Sequence, residues 1–349
     1  MTKKINRTPV RTLLLAQATR RGPRLYSAIF KARLLASHRD AAANPRDAFR
    51  RNQCLFEMDD LEKQQVESLR NHGYALAPGF FSKELVDRIY AKADAMFHNL
   101  QIDGFDSPVP IRSGGRAGMS YADLAAKGKT LELRDPLVHI PEVLDIVFHE
   151  SLLKITGHFL SCVPTMYRAA IVRDFPHNDL IHATHFERDN DESDSLRIFI
   201  DLVDIDDTRG PLVYIPRSSH SVIHSRRPRL WRNLALSASD GRLSEQEVER
   251  MYPRRTWVTL LTERGSIAAI HRNGIHKSAS WRHPPCAGAP NKTRTAIRLD
   301  VRGYKADLTG EPSENRMRKY NFDRMSELQR LFVRPAFVDD PEPALSRAG

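Results

Sequence analysis

Leu196-Arg197-Ile198-Phe199-Ile200-Asp201-Leu202-Val203-Asp204-Ile205 runs into Gly210-Pro211-Leu212-Val213-Tyr214-Ile215-Pro216-Arg217-Ser218-Ser219-His220. The first half alternates and is rich in Ile, Phe and Val, side chains that suit a pleated surface. The second is a short apolar run, and Arg209-Gly210-Pro211 between them is a turn signal. The same texture recurs outward on both sides, predicting strands over 167–172, 257–261, 266–271 and 295–304, with Arg272-Asn273-Gly274 as another turn. Ahead of residue 166 the pattern is helical. Residues 59–71 read as a helix, 72–77 as a turn into a short strand, and Ser82 as the cap of a helix over 83–97. In that helix Leu85, Ile89, Ala93 and Met96 recur at near-helical spacing. Two short helices are expected in 141–159. Residues 100–135, rich in Gly, Ser and Asp, read as loop, 226–249 as a helical insertion, and 324–332 as a helix before an extended end. Many short strands behind a helical front predict a mainly β fold with flanking helices, a barrel or jelly roll. The expected division is a basic extension over 1–53, a body over 54–304, and a C-terminal helix and tail over 305–349.

Of the 349 residues, 41% are hydrophobic and 28% charged, which supports a packed core and excludes a disordered chain. No apolar run approaches the ~18 residues of a membrane span. The three cysteines, Cys54, Cys162 and Cys286, are scattered without a CxxC. That excludes a disulfide framework and a thiolate zinc site, and predicts a reducing, cytoplasmic setting. The net charge of +11 is confined: residues 1–53 hold 13 Lys and Arg against two acids, and the remainder balances 41 basic with 41 acidic residues. The body is therefore not a polyanion binder, and no specific nucleic acid is expected. Within the extension, 13–18 and 25–37 could form short helices broken at Gly22-Pro23. A solvated arm, a transit segment, and an arm docking on an acidic membrane surface or acidic partner all stay open.

Three pieces carry chemistry: His182-Ala183-Thr184-His185-Phe186-Glu187-Arg188-Asp189, His276 in Asn273-Gly274-Ile275-His276-Lys277, and Arg294 opening the last core strand. In a strand, residues two apart point to one side, so His185 and Glu187 project together about 6.6 Å apart. With ligand bonds of ~2.0–2.2 Å and side-chain reach, both can close on one ion. A remote His would complete a facial set of two imidazoles and a carboxylate, with open positions for further ligands. Such pairs also arise by chance among 14 histidines. His182 has the opposite parity to His185 and is read as a non-ligand, while His220 and His271 are read as structural. Tyr167 and Arg173 on the early strand could face whatever the site binds.

The chain also resembles the phytanoyl-CoA dioxygenase family of non-haem iron(II), 2-oxoglutarate-dependent oxygenases. Asn71-His72-Gly73-Tyr74-Ala75-Leu76-Ala77-Pro78-Gly79-Phe80-Phe81-Ser82-Lys83-Glu84-Leu85-Val86 is similar to that family's opening strand and helix. The 196–220 stretch is similar to its strand, acidic turn and Pro-x-Ser-His segment. Gly265-Ser266-Ile267-Ala268-Ala269-Ile270, leading to Gly274-Ile275-His276, is similar to its distal-histidine strand. The resemblance implies a double-stranded β-helix (a cupin-like jelly roll). It implies iron held by an HxD/E pair with His276, and 2-oxoglutarate held by an Arg beyond that His. Arg294 occupies that position, and Arg298 on the same strand face could stand in for it. The implied activity is that of a dioxygenase, an oxidoreductase using O2 and 2-oxoglutarate. It would hydroxylate or otherwise oxidise a small organic substrate, releasing succinate and CO2. Loops 100–135, 226–250 and 281–291, with Trp231 and Trp281, would shape the substrate mouth.

The metal motif admits two registers. His185-Phe186-Glu187 gives an HxE. Family members often carry their His where Glu187 stands and their Asp where Asp189 stands, so this chain then reads Glu-Arg-Asp and leaves His185 out. A second reading of the whole is a catalytically inactive member serving as a binding module through its basic arm. A third, a non-oxidative cupin-like metal protein, has no use for the carboxylate clamp at Arg294.

Overall fold

The computed structural model describes residues 44–99, 111–113, 120–126, 130–134, 136–176, 185–189, 195–219, 243–278, 292–303 and 325–332. The strands are β1 Tyr74–Ala77, β2 Ile111–Ser113, β3 Leu131–Arg134, β4 Thr165–Asp174, β5 Ser195–Asp201, β6 Leu212–Tyr214, β7 Val258–Leu260, β8 Ile267–His271, β9 His276–Ser278 and β10 Arg294–Arg302. They form two antiparallel sheets, one ordered β1-β8-β5-β10-β4-β3-β2 and one ordered β7-β6-β9. Among the described residues, helical positions outnumber strand positions. The chain is thus a mixed fold of helices and antiparallel sheets rather than a mainly β one.

Alternation in the central strands explains the layers. Ile198 and Ile200 of β5, Ile267 and Ala269 of β8, and Ile297, Leu299 and Val301 of β10 lie in the main core. They share it with Val86, Ile89, Ala93 and Phe97 of the helix Lys83–His98. The intervening residues point the other way. Phe199, Ala268 and Ile270 cluster with Leu212 and Tyr214 of β6 and Leu260 of β7, which joins the two sheets. Both faces of the larger sheet are therefore covered. That is why its strands read as nearly continuous apolar runs.

Local signals fix the element ends. The Asp59 carboxylate accepts the Glu62 N–H at 2.8 Å while the Glu62 carboxylate accepts the Asp59 N–H at 2.9 Å, a reciprocal cap on the helix Asp60–His72. Gly73 ends that helix at φ 83°, and a Cβ there would fall 2.4 Å from the Tyr214 hydroxyl, so only glycine fits. Ser82 caps the next helix as expected, through the Leu85 N–H.

Three expectations are revised. Residues 100–135 are not all loop, because Ile111–Ser113, Tyr121–Ala126 and Leu131–Arg134 are regular. Residues 45–53 belong to the packed body: Pro45–Arg51 is a helix, and Phe49 lies against Phe56 with ring centroids 4.6 Å apart. His276 opens a strand of its own in the smaller sheet instead of following β8. The helices anticipated at 13–18 and 25–37 lie outside the described residues. Of the insertion, Glu245–Met251 is described and helical. No helix of the described residues is long and apolar enough to cross a membrane.

Candidate functional site

His276 is fixed by the strands on both sides of it. It pairs with Tyr214 of β6, and on its other edge forms an isolated antiparallel bridge with Glu187. The Glu187 N–H donates to the His276 carbonyl at 2.8 Å, and the His276 N–H returns to the Glu187 carbonyl at 3.0 Å. Directly opposed residues in such a bridge present their side chains on one face. Phe186 therefore turns to the other face, where it packs with Leu243 and meets the Trp257 ring edge-on at 4.9 Å. The turn before His276 is held from below. The Ile275 N–H donates to Ser218 Oγ at 2.7 Å, Ser218 Oγ donates to the Ile215 carbonyl at 2.6 Å, and a Cβ on Gly274 would lie 1.9 Å from the Tyr214 hydroxyl.

The imidazole of His276 is 2% exposed. Its Nδ1 lies 2.9 Å from the Gly274 carbonyl. A carbonyl only accepts, so Nδ1 carries the proton and Nε2 carries a lone pair. Nε2 is buried without a hydrogen-bond partner. It faces Glu187 Oε1 at 3.6 Å and Asp189 Oδ2 at 3.9 Å. Burial pushes the imidazole below its ordinary range, with Arg197 adding to the effect against the pull of Glu187 and Asp189. Burial also pushes the Asp189 carboxyl up, opposed by Arg197 and His276.

Beyond the carboxylates lies a guanidinium network that sequence reading missed. Asp189 Oδ2 accepts from Arg197 and from Arg272 Nε, each at 3.1 Å. Arg197 Nε also donates to Asp300 Oδ1 at 2.9 Å, and Arg298 donates to Asp300 Oδ2 from Nε at 3.2 Å and Nη2 at 2.9 Å. Burial works against ionisation of Asp300, but Arg197 and Arg298 outweigh it and hold its carboxyl at about 2. The available signal was charge at inward parity: Arg197 beside Phe199, and Arg298 and Asp300 between Ile297, Leu299 and Val301.

Arg294 differs from Arg298. It is 5% exposed, its guanidinium stacks 4.8 Å over the Phe199 ring, and its polar contacts are long, 3.4 Å to the Gly210 carbonyl and 3.9 Å to Asp201. Its Nε is buried without a hydrogen bond. A planar fork with unfilled N–H groups suits a carboxylate, whereas Arg298 already holds one.

Arg173 does not share the sheet face of Arg294, contrary to expectation. It turns into the helical layer, donating to Asp94 at 2.8 Å, Tyr121 at 3.0 Å and Thr295 at 3.1 Å. Thr295 and Arg173 are paired across β10 and β4, on the face opposite Arg294 and Asp174. Of the sequence candidates, then, the structure brings Glu187, Asp189 and His276 together. Half-buried His185 lies two residues before Glu187, and the ion-pair contacts of His276 run to positions 187 and 189. His271 is structural, as expected, its Nδ1 accepting the Asn273 N–H at 3.1 Å. His182, His220, Trp231 and Trp281 lie outside the described residues.

A buried, unprotonated, unbonded imidazole nitrogen with two carboxylate oxygens within 4 Å is the donor chemistry a divalent metal requires. The residues fit such an ion. Among the described residues no three His, Cys, Asp or Glu side chains are placed to hold a metal ion as they stand, so the fit is one of donor chemistry at Nε2 and its two neighbours.

Over residues 69–283 the chain matches the family described as Phytanoyl-CoA dioxygenase (PhyH), which places it in the Fe(II)/2-oxoglutarate enzyme superfamily. The chain belongs to the phytanoyl-CoA dioxygenase family, which spans more than half its length. No curated protein matches it in sequence. Among solved structures it is similar to the epimerase SnoN in complex with Fe3+, alpha ketoglutarate and nogalamycin RO, at 12% identity over 69% of this chain and 83% of that one, TM-score 0.46. It is also similar to AviO1 from Streptomyces viridochromogenes Tue57, at 17% identity over 72% and 97%, TM-score 0.47. HygX from Streptomyces hygroscopicus, with nickel and 2-oxoglutarate bound, shares 13% identity over 70% and 87%, TM-score 0.41. Likenesses this distant carry nothing about the reaction of this chain.

Proposed function

We propose that this protein is an Fe(II)- and 2-oxoglutarate-dependent dioxygenase acting on a small organic substrate, on a double-stranded β-helix made by its two facing sheets. The observation that carries the reading is the lone pair of His276 Nε2, buried and aimed at Glu187 and Asp189. These three side chains would hold the iron. Arg294 would take the distal carboxylate of 2-oxoglutarate through its unfilled N–H groups, with Phe199 packed against the guanidinium. When bound, iron and 2-oxoglutarate supply the activation of O2, with 2-oxoglutarate converted to succinate and CO2. The protein's own part is to keep Nε2 unprotonated through the Gly274 carbonyl, to orient Asp189 through Arg197 and Arg272, and to bury Arg294 where water competes poorly for the carboxylate. The scattered thiols Cys54, Cys162 and Cys286, with no CxxC among them, support a cytoplasmic setting.

A second reading, a catalytically inactive binding module whose 1–53 arm docks on an acidic surface, is favoured by one feature. Asp189 already has two guanidinium partners and so needs no metal to be satisfied. The two readings separate on one sample. Under the enzyme reading, anaerobic Fe(II) and 2-oxoglutarate added to the full chain give a visible charge-transfer absorption, and admitting O2 yields succinate. Absence of both leaves the binding-module reading.

A further inference from the structure

Asp201 closes β5 and is buried. It pairs with Ala296 of β10, on the sheet face that carries Phe199 and Arg294. The Thr262 hydroxyl donates to its Oδ2 at 2.6 Å, while Oδ1 is buried with no hydrogen-bond partner. Oδ1 faces Arg294 Nη2 at 3.9 Å, too far for a hydrogen bond. Arg294 Nε likewise lacks a partner. Two buried groups thus lie side by side without satisfying one another.

Burial pushes the Asp201 carboxyl up, and Arg294 and Thr262 offset only part of the effect. Since Oδ2 accepts from Thr262, a proton on this carboxyl sits on Oδ1. Arg294 is the charged group that faces it. The other charges nearby are engaged elsewhere. Glu263 pairs with Lys83, Arg264 with Asp87 and Asp206 with Lys292, while Arg209 donates to the Thr293 carbonyl. Asp174, opposite Arg294 on β4, accepts from Thr130.

We infer that Asp201, in its protonated form, is a second donor to the carboxylate that Arg294 takes, so that binding the cosubstrate draws one proton from solvent onto Oδ1. The inference rests on the reading of Arg294 as the 2-oxoglutarate clamp. An ionised Asp201 repels an arriving carboxylate and competes with it for the guanidinium. A protonated Asp201 leaves an O–H beside unfilled N–H groups, and the two oxygens of one carboxylate answer both.

The test is isothermal titration of the anaerobic full chain with 2-oxoglutarate, with and without Fe(II), in buffers of differing ionisation enthalpy so that protons are counted. In the wild type, uptake should rise to one proton per ligand as the pH passes the ionisation of free Asp201. Over that limb the affinity should fall about tenfold per pH unit. Asp201→Asn keeps an acceptor for Thr262 and supplies an N–H, so it should bind without that proton and lose the limb. The difference between the two separates Asp201 from Asp189 and His276. Asp201→Ala should weaken binding about tenfold or more at the acid end, the loss of a hydrogen bond to a charged group. The inference is overturned if no proton is taken up at any pH at which the protein stays folded, if Asp201→Asn keeps the wild-type profile, or if Asp201→Ala binds as tightly as the wild type.

The Fe(II) arm keeps the two readings apart. If proton-coupled binding holds but Fe(II) does not tighten it, the carboxylate site stands and the enzyme reading falls. If Fe(II), 2-oxoglutarate and O2 yield succinate while Asp201→Asn keeps the wild-type profile, the enzyme reading stands and this inference falls. No binding of 2-oxoglutarate in either arm overturns both.

Discussion

The two arginines of β10 illustrate how one residue type takes two roles on one strand face. Arg298 is chelated by Asp300, while the N–H groups of Arg294 make only long contacts or none. Replacing Arg294 with Gln should therefore weaken 2-oxoglutarate binding about ten- to a hundredfold, the value of a charge-assisted bidentate pair at ~1.5–3 kcal/mol. Arg298→Gln should leave that affinity nearly unchanged and lower stability instead, because it strips a partner from a buried carboxylate. Isothermal titration with 2-oxoglutarate and urea unfolding of both variants check this. A larger loss of affinity in Arg298→Gln would reverse the two roles. The family resemblance supplied Arg294, and parity on a predicted strand added Arg298. Sequence could not rank them, because Asp300 lies beside Arg298 on the same strand but Gly210 and Phe199 meet Arg294 only in the fold.

At the scale of the element, the turn into β9 depends on close approach. Gly274 lies on the phenol of Tyr214, and its Cβ would fall 1.9 Å from the hydroxyl and 2.4 Å from Cζ. Gly274→Ala should destabilise the protein by about 1–3 kcal/mol through overpacking, and should weaken metal binding by displacing His276. In a Tyr214→Ala background, which clears the space, the same substitution should cost much less. A double-mutant cycle by urea unfolding measures that coupling, and strict additivity would show that the contact is not what constrains the turn. Most helices and strands were legible from periodicity and caps: Ser82 and the alternation of β5 each stand where local rules put them. The separate strand at His276 was not. Its three residues carry no period of their own and become a strand only by pairing with β6.

Across the whole molecule, the charge network and the N-terminal helix bear on stability. Asp300 is held at about 2 against an ordinary 3.8. Since the folded-state value is the lower one, its contribution is complete above pH 3.8 and is lost as the pH falls towards about 2. The amount is about 2 kcal/mol. Asp300→Asn should lose this part of the acid dependence, visible as a flatter stability profile below pH 4; an unchanged profile would argue against the network. Phe49 contributes to the core from residues that composition assigned to the basic extension. Removing residues 1–43 should leave stability and metal binding unchanged, whereas Phe49→Ala should cost about 3 kcal/mol in thermal or urea unfolding. Equal losses in the two would place part of the core ahead of residue 44.

Sequence by itself determined the family, the two-faced strands, the helix caps and the candidates at 185, 187, 189, 276, 294 and 298, because each follows from local pattern or motif order. It could not choose between the two metal registers. Residues 185, 187 and 189 share strand parity, so each register satisfies the local rule equally. The folded chain adds the hydrogen bonds between His276 and Glu187, the residue common to both registers. These join distant parts of the chain and exist only once β6 and β9 have brought the histidine to the edge of the smaller sheet. Parity is a property of a few consecutive residues, whereas register is a property of two strands meeting, and only the folded chain contains it.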